Sequence, residues 1–238
     1  MTPPVPALNP TSALAIKLAI AGVQRIPSSG LARIRDYIRG REVLVVGPKR
    51  VGKTSFVTYL QHGILLDEGS TVPSYDPRKT PTFTVALGTR QTLELRLRSV
   101  EDLPGHIGPT EQANLVAQRR PHALVMVLDL SLAYGGRSPD SAQKWLKTFF
   151  GRLEHKWAQR HSKNRIRSFL VLLNKRDKVS AASSKKYQQQ VNRILQTACP
   201  LTTSGLDGIP VLETTLVASP EGSHFADNAV STLARTLA

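Results

Sequence analysis

Along the first forty positions, apolar residues fall into two short groups. Residues 1–10 carry four prolines and no apolar period, which predicts a flexible arm. Thr11 or Ser12 can cap a helix over Leu14, Ile16, Leu18, Ile20 and Val23; Pro27-Ser28-Ser29-Gly30 breaks it, and a second helix follows through Ile34 and Ile38. From Glu42 the pattern changes. Val43-Leu44-Val45-Val46 is a β-branched run closed by Gly47, as expected of a parallel strand buried on both faces. Further strands are predicted at 83–87, 93–100, 123–130, 168–173 and 209–212, with helical stretches between most of them. Only the pair flanking Gly88-Thr89-Arg90-Gln91 is joined tightly enough for a hairpin.

Strand-helix alternation with one antiparallel pair predicts an α/β fold of three layers, a mostly parallel six-stranded sheet with helices on both faces. The chain then divides into an N-terminal extension, residues 1–40, and one domain, residues 41–238. The helix after the fourth strand carries Ala142, Trp145, Leu146, Phe149, Phe150, Leu153 and Trp157 at spacings of three and four, which reads as a core stripe. Lys144, Lys147, Arg152, His155 and Lys156 lie off that stripe. With Arg160, Lys163, Arg165 and Arg167 they form a candidate basic surface.

Composition sharpens this picture in three ways. At 238 residues and 40% hydrophobic content the chain can bury a core of ordinary size. Lys and Arg outnumber Asp and Glu by 32 to 17, a net charge of +15, so a nucleic acid, an anionic membrane or an acidic protein would each be attracted. Solvated helix faces are the plainer reading of the same residues. Cys199 is the single cysteine, which excludes an intramolecular disulfide, and Met1-Thr2-Pro3-Pro4 lacks the charged-then-apolar order of a secretory signal. A cytoplasmic location is expected, peripheral at a membrane if the helix over Leu14–Val23 lies in the interface. No transmembrane helix is expected, because the apolar stretch 13–23 is interrupted by Lys17 and is shorter than the ~20 residues a span needs.

Gly47-Pro48-Lys49-Arg50-Val51-Gly52-Lys53-Thr54, followed by Ser55, matches the phosphate-binding pattern of glycine, four residues, glycine, lysine and Ser/Thr, directly after a predicted strand. The glycines let backbone N–H groups turn toward phosphate oxygens, Lys53 neutralises the β and γ phosphates, and Thr54 offers a hydroxyl to Mg²⁺. This loop does not choose between ATP and GTP.

Three further segments follow predicted strands: Asp102-Leu103-Pro104-Gly105-His106, Asn174-Lys175-Arg176-Asp177 and Glu213-Thr214-Thr215-Leu216. With the phosphate loop, in this order, they resemble the G1, G3, G4 and G5 motifs of small GTPases, over residues 41 to 238. The Asp-Leu-Pro-Gly-His wording is similar to the Arf-like side of that class and to the β subunit of the signal recognition particle receptor; translational GTPases also carry a histidine there.

The resemblance implies a P-loop G domain that binds GTP/GDP with Mg²⁺. Gly47, Lys49, Arg50, Val51, Gly52, Lys53, Thr54 and Ser55 would surround the phosphates. Asp102 would hold Mg²⁺ through water together with Thr54, and the Gly105 amide would meet the γ-phosphate. Asn174 would brace its loop, the Lys175 stem would cover one face of the base, and Asp177 would accept two hydrogen bonds from guanine, where adenine has no such donor pair. Thr215 and Leu216 would contact the guanine oxygen through the backbone. For catalysis the resemblance points to His106 orienting water, to Lys53, and to a switch threonine touching the metal, Thr82 in preference to Thr80. Arg78 is a candidate arginine in cis, and an inserted loop is expected between Gly63 and Arg78. Lys49 and Arg50 stand where Ras proteins have glycines. The function implied is a GTP-hydrolysing switch for a protein effector. A constitutively GTP-bound scaffold and a ribonucleoprotein assembly GTPase remain alternatives, and an ATPase would require the 174–177 segment to be coincidental.

Overall fold

The apolar run 43–46 becomes β1 (Arg41–Val46), whose side chains alternate between two cores: Val43 and Val45 enter one, Leu44 and Val46 the other. Burial on both faces is why the run shows no polar alternation. In the computed structural model, which describes residues 41–67, 82–86, 92–133, 139–160, 166–199 and 208–237, six strands form one sheet in the order β2-β3-β1-β4-β5-β6. The others are β2 (Thr82–Ala86), β3 (Thr92–Asp102), β4 (Ala123–Asp129), β5 (Ser168–Asn174) and β6 (Val211–Glu213). The β2–β3 pair is antiparallel, as the hairpin reading required, and every other pairing is parallel. The expected α/β architecture is the one observed. The extension 1–40 with its predicted arm and helices, the turn 88–91, most of the loop before Thr82, including Arg78 and Thr80, and the basic positions Lys163 and Arg165 lie outside the described residues.

Two boundaries differ from the sequence reading for identifiable reasons. β3 runs past Val100 through the charged pair Glu101-Asp102, because β1 pairs beside it with Leu44 opposite Glu101 and Val45 opposite Asp102. β6 starts at Val211, not at 209. Pro210 has no N–H to give a ladder, and only its carbonyl takes part, accepting from Val171 N–H at 3.0 Å.

One face of the sheet is covered by α2 (Pro109–Arg119), α3 (Pro139–Arg160) and α4 (Ala181–Ala198), the other by α1 (Lys53–His62) and α5 (Pro220–Leu237). The α3 stripe behaves as expected at its centre, where Leu146, Phe149, Phe150 and Leu153 are fully buried and Phe150 meets Phe169 of β5 edge-on at 6.0 Å between centroids. Trp145 and Trp157 are only partly buried at the rim, Trp145 stacked on Phe149 at 5.2 Å. Among the described residues no helix is long and apolar enough to cross a membrane.

Candidate functional site

Loops leaving the carboxyl ends of β1, β3, β5 and β6 are where an α/β sheet offers a ligand site, and all four loops singled out in the sequence leave from there. The register fixes them: Val46 lies opposite Met126, and Asp129 opposite Asn174, so β1, β4 and β5 end along one edge.

The phosphate loop runs from β1 into α1. Gly47 has φ +143, and a Cβ there would lie 2.2 Å from the Val127 carbonyl oxygen, so no other residue fits. Val51 anchors the loop in the core, whereas Lys49 and Arg50 are exposed. Lys53 opens α1 with its side chain buried and turned back over the loop, Nζ donating to the Pro48 carbonyl at 2.6 Å. Burial lowers its pKa from the usual 10.5, and nearby Asp102 opposes that effect. Ser55 is half-buried beside it.

The loop after β3 lies directly against this one. Leu103 N–H donates to the Val45 carbonyl at 2.9 Å, and a Cβ on Gly105 would come within 2.7 Å of both Lys49 Cα and Lys53 Nζ. Only a glycine allows that approach. His106, next in the chain, is exposed. Thr54 Oγ1 donates to Asp102 Oδ2 at 2.9 Å, which sets two side-chain oxygens side by side. Among the described residues no three acidic, histidine or cysteine side chains converge on a cation site. A Mg²⁺ ion, which takes one or two protein oxygens and fills its shell with water and phosphate, fits the Thr54–Asp102 pair.

The loops after β5 and β6 are joined by Asn174, the buried last residue of β5. Its Nδ2 donates to the Val51 carbonyl at 2.9 Å, and its Oδ1 accepts from Leu216 N–H at 2.9 Å and from the Thr214 hydroxyl at 3.5 Å. Thr214, Thr215 and Leu216 are all buried. Arg176 N–H donates to the Thr214 carbonyl at 3.0 Å, and its guanidinium pairs with Glu213 at 2.7 Å. Lys175 adopts φ +65, and its ammonium pairs with the buried Asp129 at the end of β4. Asp177 is exposed, and among the described residues its carboxylate takes no hydrogen bond and no ion pair. Thr82 is the first residue of β2, paired with Arg96 of β3.

Two residues of this network escaped the sequence reading. Asp129 also accepts from the Ser131 N–H and hydroxyl at 2.8 and 2.6 Å; its signal was a carboxylate closing an otherwise apolar strand. Gln112 is fully buried in α2 and bonds to both Gly47 and the loop after β3; its signal was a polar residue on the stripe Gln112, Ala113, Val116 and Ala117.

No family model and no curated protein matches the sequence. Among solved structures, translation elongation factor SelB from Methanococcus maripaludis is similar at a TM-score of 0.48 and 16% identity, over 83% of this chain and 33% of that one. A GTP-binding protein from Sulfolobus solfataricus, in complex with GDP, is similar at a TM-score of 0.48 and 18% identity, over 88% of this chain and 56% of that one. The signal recognition particle receptor SRb with GDP from Chaetomium thermophilum gives 0.44 and 17%, over 80% and 97%. The chain thus spans a third of the first and just over half of the second. The fold itself is fixed by strand order and by the loop at the end of β1.

Proposed function

We propose that this chain binds GTP and GDP at the carboxyl edge of its sheet and hydrolyses GTP, acting as a nucleotide-dependent switch for a protein effector. The observation that carries the reading is the Asn174 amide. It ties the phosphate loop to the 213–216 loop and sits three residues before Asp177, so phosphate and base elements form one hydrogen-bonded unit.

In this reading the N–H groups of residues 47–55 and the amino end of α1 receive the phosphates. Lys53 exchanges the Pro48 carbonyl for a phosphate anion. Asp177 accepts from the guanine N1–H and exocyclic amine, Lys175 lines the base, and the backbone at Thr215 and Leu216 meets its oxygen. Thr54 and Asp102, with Thr82, would hold Mg²⁺, which when bound neutralises charge on the β and γ phosphates. The Gly105 amide meets the γ-phosphate. His106 hydrogen-bonds the water that attacks phosphorus as the bond to the β-phosphate oxygen breaks and GDP leaves. Exposed Lys49 and Arg50 border the phosphates. The basic helices α3 and α4 offer a surface to an acidic partner, an anionic membrane or a nucleic acid, and the location is cytoplasmic or peripheral.

Single-turnover hydrolysis of GTP tests this. His106→Ala should slow the step by roughly ten- to a thousandfold with GTP affinity nearly unchanged. Tight GTP binding without turnover, even in the presence of cell extract, would replace the switch by a scaffold; no guanine-nucleotide binding at all would end the reading.

A further inference from the structure

A fully buried amide side chain must find hydrogen bonds inside the protein, and where Gln112 finds them is specific. It is the fourth residue of α2, its own N–H bonded to the Gly108 carbonyl at 3.0 Å. Its Oε1 accepts from Gly47 N–H at 3.0 Å, and its Nε2 donates to the Gly47 carbonyl at 3.0 Å, so one side chain closes both polar groups of the first phosphate-loop residue. The same Nε2 reaches the Ile107 carbonyl at 3.3 Å and the Pro104 carbonyl at 3.4 Å. An amide nitrogen has two hydrogens for these three acceptors. The Gly47 bond is the shortest, so the second hydrogen is shared between two carbonyls that bracket Gly105 and His106.

We infer that Gln112 is a positioning residue that fastens the phosphate loop to the 104–107 loop and makes the site's grip on Gly105 depend on which nucleotide is bound. The inference rests on the GTP-binding reading above. One end of the fastening is packed closely, because Gly47 sits at φ +143 with no room for a side chain beside the Val127 carbonyl. The other end is adjustable, because a small shift of Gly105 moves the second hydrogen from Pro104 to Ile107 or back. A nucleotide with a γ-phosphate contacts Gly105 and biases that choice; one without it does not. Differential contact of this kind is what lets a ligand shift an equilibrium.

The test is equilibrium titration of wild type, Gln112→Glu and Gln112→Met with GDP and with a non-hydrolysable GTP analogue, alongside thermal unfolding. Glutamate keeps an acceptor for Gly47 N–H but sets a carboxylate against the Gly47, Pro104 and Ile107 carbonyls; methionine removes every bond at similar length. Both variants should weaken the GTP analogue at least about fivefold more than GDP. Equal weakening of both nucleotides, with or without a lower unfolding temperature, would make Gln112 a structural residue and overturn the inference while leaving the function intact. Should the variants not fold, the Gln112 side-chain N–H₂ resonances of the wild type decide the matter: they should shift between the GDP and GTP-analogue forms, and identical positions overturn the inference. A wild type that binds neither nucleotide would instead remove the GTP-binding reading, and the inference with it.

Discussion

Lys53 enters α1 with its ammonium buried over its own loop, and desolvation is the larger cause of its lowered pKa. The sign follows from linkage. Below the lowered value the buried charge destabilises the folded chain; as pH climbs from there toward 10.5, the folded form loses its proton before the unfolded one and the penalty lifts. A bound phosphate reverses this by favouring the charged form, so in that window binding takes up a proton and affinity falls as pH rises. The rise in unfolding temperature caused by GDP should therefore shrink as pH climbs toward 10.5. Lys53→Arg, whose guanidinium keeps its proton throughout, should lose less, and the difference isolates the lysine from titration of the base. Identical pH profiles would assign Lys53 no part in phosphate binding. At this scale the motif residues were legible in the sequence because each motif lies within one short segment of chain. Gln112 and Asp129 face other protein groups, and which groups those are depends on loops brought together only by the fold.

Elements were legible wherever burial is local to one strand or helix. The predicted strands 43–46, 123–130 and 168–173 read as mainly apolar because β1, β4 and β5 are covered on both faces, and the centre of α3 reads as a stripe because the sheet lies under it. Ends were less legible, since the neighbouring strand decides them, as at Glu101-Asp102 and at Pro210. The same distinction yields a stability contrast along α3. Phe150, fully buried against Phe169, should cost about 3–5 kcal/mol when changed to alanine. Trp157, partly buried at the rim, should cost well under half of that despite its larger ring. Denaturant midpoints at unchanged slope read both values; equal costs would mean the stripe continues to the rim.

For the molecule as a whole, the sheet edge assembles what the sequence holds apart: residues 47–55, 102–106, 174–177 and 213–216 come to one place because β1, β3, β5 and β6 run parallel. Motif order and strand alternation together made this arrangement readable in advance. The basic residues off the α3 stripe were equally readable, but they name no partner, since charge attracts any anion within a screening length. The central claim is that the assembled edge reads guanine through Asp177. Its most direct test is competition among GDP, ADP and xanthosine diphosphate for the wild type and for Asp177→Asn. The account predicts that the wild type prefers GDP strongly over ADP. It also predicts that Asp177→Asn weakens GDP by about 2 kcal/mol, roughly thirtyfold, and gains affinity for the xanthine nucleotide. Equal binding of GDP and ADP by the wild type, or an unchanged preference in Asp177→Asn, would contradict it.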